Sequence, residues 1–496
     1  MIKKRTFSGG YFFKNFTGHP QEKIDNCNIP SKVIIPLKQN FGNEVPSLVK
    51  SGDKVKAGQI IGRNDNSFSS PIHSSVSGIV EEVKKINYFK EVISSVFINS
   101  EGSQDWQPLK GHNSDWEKLS SEKIEELIYL SGVSKLDNQG IPTRFKSSLI
   151  SPEEVENLII HGVGSEIYNL SLPIFLERRR MLNFVEGVKI LKKILPKAKL
   201  HLAFNKHQQN IIEEISKLLS GLKDIEIYSL EPKYPQGYDE ILIPTILNEK
   251  FPYGYSAANI GVIILNIQVV LQVYEAVAEG KPLIERTVTL CGSGFKEPVH
   301  MKVRIGTPLE FIIQDRTVDN IDLRFIQNSL LTGVVLSDLK LPVNSNFSQI
   351  ICLPEEKRSQ SFAFINPGFK KDSYSNTFLS KFIKVKKILD TNVHGELRPC
   401  IFCNYCQEVC PVNLIPHLLF RYVEKEIINQ SLMNLKIFNC IGCNLCSYVC
   451  PSKIPVAKYI KEGQGKLIDI GYDQTLCILP YFDLKGIEDY RGIKHL

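Results

Sequence analysis

The chain has 496 residues, 43% apolar and 23% charged, with a formal net charge of +7. That length suffices for roughly two to four domains, and the composition excludes a disordered, collagenous or disulfide-dense chain. The positive excess is mild and dispersed, with short clusters at 178–180, 192–193 and 384–387, which fits solvated faces and excludes a nucleic-acid module.

The N-terminus, Met1-Ile-Lys-Lys-Arg-Thr-Phe, is basic, but no apolar core follows it, so no signal peptide is expected. Residues 1–30 carry Gly9-Gly10, Pro20 and Pro30 with little periodicity and read as an extended lead-in wrapping another domain. Residues 31–105 read as β. Strands are expected at 32–36, 54–62, 71–76 and 78–83, separated by Gly-Asp and Ser-Gly turns. The phrases GDKVKAGQIIG and SSVSGIVEEV resemble the biotinyl/lipoyl-like barrel-sandwich family. Carrier members of that family place a modifiable lysine at a hairpin tip, whereas Pro71-Ile-His-Ser here has none, so the resemblance implies docking rather than a swinging arm.

Residues 115–284 alternate helix and strand patterns. Helices are expected from Ser121, over 175–195, 209–222 and 269–278, and strands at 158–161, 199–204, 224–228 and 261–265. Strands alternating with helices predict a parallel α/β sheet. The stretch 260–278 is the most apolar, but Asn266, Gln268, Gln272 and Glu275 interrupt it, so it reads as strand and amphipathic helix and not as a membrane span. Residues 285–354 return to β at 286–290, 299–305 and 309–313, the last with helix as the competing reading, and suggest a β-grasp-like module. Residues 355–395, with Pro367-Gly368 and many Lys and Ser, read as a linker.

The strongest pattern lies in 396–470. Cys400-Ile-Phe-Cys403-Asn-Tyr-Cys406-Gln-Glu-Val-Cys410-Pro411 recurs as Cys440-Ile-Gly-Cys443-Asn-Leu-Cys446-Ser-Tyr-Val-Cys450-Pro451. Each is C-x2-C-x2-C-x3-C-P, the run that holds [4Fe–4S] clusters in bacterial two-cluster ferredoxins, where the fourth cysteine ligates the other cluster. Cys400, Cys403, Cys406 and Cys450 are therefore assigned to one cluster, and Cys440, Cys443, Cys446 and Cys410 to the second. A zinc site needs only four ligands, and disulfides need an oxidising compartment. Two matched runs of four suit neither. Cys27, Cys291, Cys352 and Cys477 are scattered and read as ordinary buried thiols. Helices are expected at 414–435 and 456–466, and the tail 471–496 carries no readable signal.

This order of parts resembles the RnfC component of the Rnf ion-translocating electron-transport complex. Further phrases carry the resemblance: Phe7-Ser-Gly9-Gly10, IPLKQNFG at 35–42, YPQG at 234–237, NIGVIILNIQ at 259–268, GKPLIERTVTLCG at 280–292 and IGTPLEFI at 305–312. It implies a barrel-sandwich, an α/β domain like the flavin- and NADH-binding part of respiratory complex I, an SLBB-like β-grasp module and an α-helical two-cluster ferredoxin domain. The family's glycine-rich loop, roughly G-G-A-G-F-P-T followed by lysine, lets backbone N–H groups approach phosphate. Here the stretch reads Asp137-Asn138-Gln139-Gly140-Ile141-Pro142-Thr143, with Arg144 and Lys146 after it. Gly140, Pro142, Thr143 and Lys146 match, but the glycine pair is gone. Asp137 adds a repulsion of about 1–4 kcal/mol toward an anion a few ångströms away. The second family motif aligns with 161–168. Gly162, Glu166 and Tyr168 match, while an acidic residue is replaced by Gly164 and a later glycine-rich phrase by Asn328-Ser-Leu-Leu-Thr-Gly333. His161 reads as structural.

The resemblance implies a peripheral electron-transfer subunit on the cytoplasmic face of a membrane complex, with other subunits and a ferredoxin or similar carrier as partners and no span of its own. Two [4Fe–4S] clusters are expected, and FMN and NADH are not. The remnant of that site is Gly140, Thr143, Lys146 and Glu166. An FMN-bearing NADH dehydrogenase subunit and a docking adaptor are the alternatives. No catalytic acid, base or nucleophile is expected.

Overall fold

A computed structural model describes residues 2–39, 43–64, 69–89, 91–103, 105–135, 152–168, 172–355, 372–374, 386–390, 397–474 and 484–485. The lead-in is not merely extended. It contributes two strands, β1 (Ile2–Arg5) and β2 (Ile24–Asn26), to two different sheets. Both are short and polar, edge strands whose pairing is set by their neighbours rather than by their own periodicity.

The barrel-sandwich unit holds β3 (Lys32–Pro36), β4 (Lys54–Val55), β5 (Ile60–Gly62), β6 (Ile72–His73), β7 (Gly78–Tyr88) and β8 (Glu91–Ser100), arranged as β3-β8-β7-β4 and β5-β6. Alternating residues Val33, Ile35, Val80, Val96 and Ile98 meet Val55, Ile61 and Val76 in its core, the period-2 pattern of a half-buried sheet. The expected strand at 71–76 shrinks to two residues, because Ser74 and Ser75 turn their hydroxyls onto backbone carbonyls of Val76 and Ile305.

The α/β unit is a parallel sheet in the order β1-β11-β10-β9-β12, with β9 (Asn157–His161), β10 (Lys199–Asn205), β11 (Ile225–Leu230) and β12 (Val262–Asn266). Its central strands are buried on both faces, as parallel sheets require. α1 (Ser121–Ser131) is capped by Ser120, which accepts from the Lys123 amide, and stops at left-handed Gly132. The helix expected over 175–195 is broken: α2 (Leu172–Phe175) precedes α3 (Arg179–Ile194), and between them Arg178 holds a φ of +51°. α4 (Gln209–Leu218) and α5 (Asp239–Leu247) follow, then α6 (Ile267–Tyr274). A Cβ on Gly187 of α3 would lie 2.5 Å from the Val270 carbonyl oxygen of α6, so the two helices cross at backbone distance.

The next unit is a mixed sheet, β16-β15-β17-β13-β14-β2, built from β13 (Glu285–Cys291), β14 (Val299–Arg304), β15 (Leu323–Gln327), β16 (Val334–Val335) and β17 (Gln349–Pro354). Between β14 and β15 lies α7 (Leu309–Ile313), which corrects the strand expected there. Leu309, Ile312 and Ile313 are the buried residues, spaced i, i+3, i+4, and that is a helical stripe.

Residues 397–474 form a helical unit of α8 (Tyr405–Glu408), α9 (Pro416–Glu424), α10 (Gln430–Asn434), α11 (Leu445–Tyr448) and α12 (Val456–Asp469). The single helix expected over 414–435 is two, parted at Glu426, whose φ is +56°, and restarted by Asn429, which accepts from Ser431. Among the described residues no helix is long and apolar enough to cross a membrane.

Candidate iron–sulfur site

The two cysteine runs fold alike because their sequences repeat. In each, the residue before the second cysteine and the asparagine after it take positive φ: Phe402 (+53°) and Asn404 (+61°), Gly442 (+68°) and Asn444 (+63°). Asparagine tolerates this conformation better than most side chains. Each loop then enters a one-turn helix, α8 or α11, that carries the third cysteine.

The fourth cysteines cross over. Cys400, Cys403, Cys406 and Cys450 line one space of about 350 Å3, any open solvent included, with Phe420, Ile454 and Val456 among its walls. The Cys406 thiol is pushed up to about 12 by burial and then by Cys403, Cys450 and Cys400. Cys440 is pushed up to about 11, by burial and by Cys410. Cys446 is raised well above the ordinary thiol range by burial, then Cys440, Cys443, Cys410 and Cys406. Cys450 thus shares a space with the first run, and Cys410 is an electrostatic neighbour of Cys440, Cys443 and Cys446.

Two features test whether these tetrads suit a metal cluster. Burial and mutual repulsion oppose thiolates here, so four of them call for a cationic centre. Backbone amides already point at sulfur: Leu414 N–H donates to Cys410 Sγ at 3.3 Å, and Ser452 and Ile454 amides lower Cys450 against its burial. Among the described residues no three His, Cys, Asp or Glu groups form a site for one metal ion. Grouped buried thiols with backbone amides directed at sulfur fit iron–sulfur ligation.

The tetrads differ in surroundings. The second is seated on the rest of the molecule. Cys443, Leu445 and Val449 share a core with Tyr168, Tyr234, Leu330, Leu331 and Ile351. Tyr234 Oη donates to the Cys443 carbonyl at 2.9 Å, and Asn444 Nδ2 donates to the Leu331 carbonyl at 2.7 Å. The lead-in passes beneath it, where Gly10 N–H donates to the Val409 carbonyl at 2.9 Å and Lys233 holds the carbonyls of Phe7 and Gly9. The first tetrad faces outward, with Ile401 64% and Phe402 50% exposed beside it.

Of the flavin-site remnant, Gly140, Thr143 and Lys146 lie outside the described residues, as do Asp137, Arg144 and Cys477. Glu166 is described. Tyr238 Oη donates to its Oε1 at 3.4 Å, and the Tyr238 and Tyr234 hydroxyls sit 3.0 Å apart, so two phenols stand between Glu166 and Cys443. Burial pushes the Glu166 carboxyl up to about 8, against hydrogen bonds from Ser329 and Tyr238. The glycines nearby are filled by the chain itself. A Cβ on Gly162 would lie within 2.9 Å of Ile267, Leu172 and Phe204 side chains, and one on Gly333 2.1 Å from the Gln327 carbonyl oxygen. Asn328 binds the Ser348 amide and the Asn346 carbonyl. His161 is buried with Nδ1 3.2 Å from the Val163 carbonyl oxygen. The Tyr234–Tyr238 seat and the Gly9–Gly10 strap were not expected from the sequence as parts of the site. The signal was present, since YPQG and FSGG are both compact aromatic–glycine phrases.

Three family descriptions match in order: an RnfC barrel sandwich hybrid domain over residues 6–103, a Nuo51 FMN-binding domain over 128–275 and a 4Fe-4S dicluster domain over 399–454. Three relatives are each the C component of a multi-subunit complex. The chain is 27% identical to that of the proton-translocating ferredoxin:NAD(+) oxidoreductase complex of Clostridium ljungdahlii, across 92% of this chain and 93% of that one. It is 26% identical to that of the Na(+)-translocating ferredoxin:NAD(+) oxidoreductase complex of Acetobacterium woodii, across 87% and 90%. It is 29% identical to that of the ion-translocating oxidoreductase complex of Actinobacillus succinogenes, across 91% of this chain but 61% of that longer one.

Proposed function

We propose, from the premise that this chain is similar over about nine-tenths of its length to the RnfC-type component of ion-translocating oxidoreductase complexes, that it is the peripheral iron–sulfur electron relay of such a complex. The observation that carries this is the pair of thiol tetrads, formed by exchange of Cys410 and Cys450 between two matched runs. Bound clusters would supply one-electron storage. The chain's own part is to hold each cluster by four thiolates and to direct amides at sulfur. We assign Cys400, Cys403, Cys406 and Cys450 to one cluster and Cys440, Cys443, Cys446 and Cys410 to the other. The partners are the other subunits of the complex, and the chain works on the cytoplasmic face of the membrane.

The α/β unit is read as a scaffold that has lost FMN and NADH. Asp137-Asn138-Gln139 replaces the glycine pair, and Gly162 and Gly333 pack on the chain's own atoms. The mixed sheet is read as an SLBB-like β-grasp. Its order β14-β13-β17-β15-β16, with β13 parallel to β17 and α7 in the crossover, supports that reading.

Iron, sulfide and flavin analysis of anaerobically purified protein, with an NADH titration by absorbance, tests both readings. About eight irons, no flavin and no response to NADH is the expected result. Stoichiometric FMN with bleaching by NADH would overturn the scaffold reading. Tightly bound zinc with fewer than about four irons would overturn the relay itself.

A further inference from the structure

The two runs match in spacing but not at the residue before their second cysteine. In the first run Phe402 stands there, half exposed, with the Arg421 guanidinium 4.9 Å from its ring centroid. In the second run that residue is Gly442, and a Cβ built on it meets nothing within 4 Å. Phe402 holds a φ of +53° at the equivalent position, so the backbone alone does not demand glycine at 442. The first loop carries an aromatic side chain at this position and the second carries none.

The second loop opens onto a concavity of about 1470 Å3, counted with the open solvent it merges into, whose lining includes Cys440, Gly442, Lys453, Lys458 and Lys461. Its lining is partly apolar, with Ile441, Pro455 and Ala457. Asp390 on its wall is met by Arg324 Nη2 at 2.9 Å. Lys458 meets Glu462 at 3.8 Å on an exposed helix face, and among the described residues Lys461 has no ion-pair partner. A lining that joins apolar residues to three lysines suits a protein interface with a polar rim, and its sign selects an acidic partner. A flat bilayer could not enter a recess to reach Cys440.

We propose that this recess is the docking site of an acidic electron-carrier protein, which exchanges electrons with the chain at the Gly442 loop of the second run. This rests on the cluster reading above. The test uses full-length, cluster-loaded protein, with reduced acidic plant-type ferredoxin as the probe and cluster bleaching followed by stopped flow. The double variant Lys458→Glu/Lys461→Glu is compared with wild type and with Lys118→Glu, an exposed lysine on another unit. At low salt the double variant should be reduced roughly tenfold to a hundredfold more slowly, with the gap closing as salt rises. Lys118→Glu should match wild type, and Gly442→Phe should slow transfer at every salt concentration. Dithionite should bleach all four proteins alike. Equal ferredoxin rates with intact dithionite bleaching would overturn the docking site alone, as would a wild type that the ferredoxin fails to reduce. Missing iron and no dithionite response would overturn the cluster reading with it. Binding to anionic phospholipid vesicles that the double variant loses, with its ferredoxin rate untouched, would overturn the proposal in favour of a membrane contact.

Discussion

Replacing Glu166 with glutamine should flatten the pH dependence of stability. The carboxyl sits with Oε2 out of contact with solvent, and burial pushes it up to about 8. As a residue Glu166 is only partly buried, but the charged oxygens decide the electrostatics. An unfolded glutamate titrates near 4.3. Between those values the native protein holds a proton that the unfolded chain has released, so stability falls as pH rises through this window. Below the window both states are protonated and nothing is lost. Above about 8 the loss is complete. Each unit is worth 1.36 kcal/mol, so from pH 5.5 to 8 the wild type should lose roughly 3 kcal/mol relative to Glu166→Gln. Glutamine copies the protonated carboxyl in shape and can still accept from Tyr238. The assay is denaturant or thermal unfolding of both proteins at several pH values, with fluorescence of the α/β unit as readout. A gap that stays constant from pH 5.5 to 8, or that closes as pH rises, would refute a buried, proton-holding Glu166.

Crossed ligation predicts an iron count: Cys403→Ser/Cys450→Ser should keep about four irons, whereas Cys403→Ser/Cys410→Ser should lose both clusters. Uncrossed runs would give the opposite pair of counts. Gly9→Ala would put a methyl 2.5 Å from the Cys410 carbonyl oxygen at a φ of +66°. It should cost roughly 2–5 kcal/mol and speed iron loss to a chelator, while a wild-type chelation rate would show the strap to be dispensable. Glu285 is buried, which alone would raise its pKa, but Lys281 and Lys302 outweigh this and hold it down at about 2. Its contribution is present above the unfolded value and lost as pH falls toward 2. Glu285→Gln should cost about 3 kcal/mol at pH 7, the low end for a broken buried pair, because Lys281 keeps Glu275 at 3.5 Å. A melting temperature unchanged at pH 7 would remove that ion cluster from the account.

What could be read in advance follows from how local each signal is. The cysteine runs encode their own loops, so an iron–sulfur domain was legible from their spacing. The parallel sheet was legible because its strands carry their own apolar runs. α7 was misread as strand because five apolar-rich residues are too few to separate period 2 from period 3.6. Only burial of Leu309, Ile312 and Ile313 on one stripe decides it. β1 and β2 were invisible because residues such as Lys3, Lys4 and Asp25 pair through backbone groups supplied by strands about 225 and 275 positions away. The seat of the second tetrad failed to appear for the same reason. Tyr234 meets Cys443 across 209 positions, and no sequence window contains both.

On the scaffold reading, that seat also bears on why the α/β unit would persist without a flavin. Tyr234, Tyr238, Glu166 and Tyr168 all belong to it, and they meet the second run directly or through one another. The mixed sheet adds Leu331 and Ile351 to the same core, and the lead-in ties β1 of one sheet to β2 of the other while passing under Cys410. Removing a nucleotide from such a unit removes a ligand. Removing the unit would expose the aromatic side of a tetrad whose thiols Cys443 and Cys446 are buried. Selection acting on electron relay alone would therefore keep the fold, keep the tyrosines that press on the second run, and leave the phosphate glycines free to change.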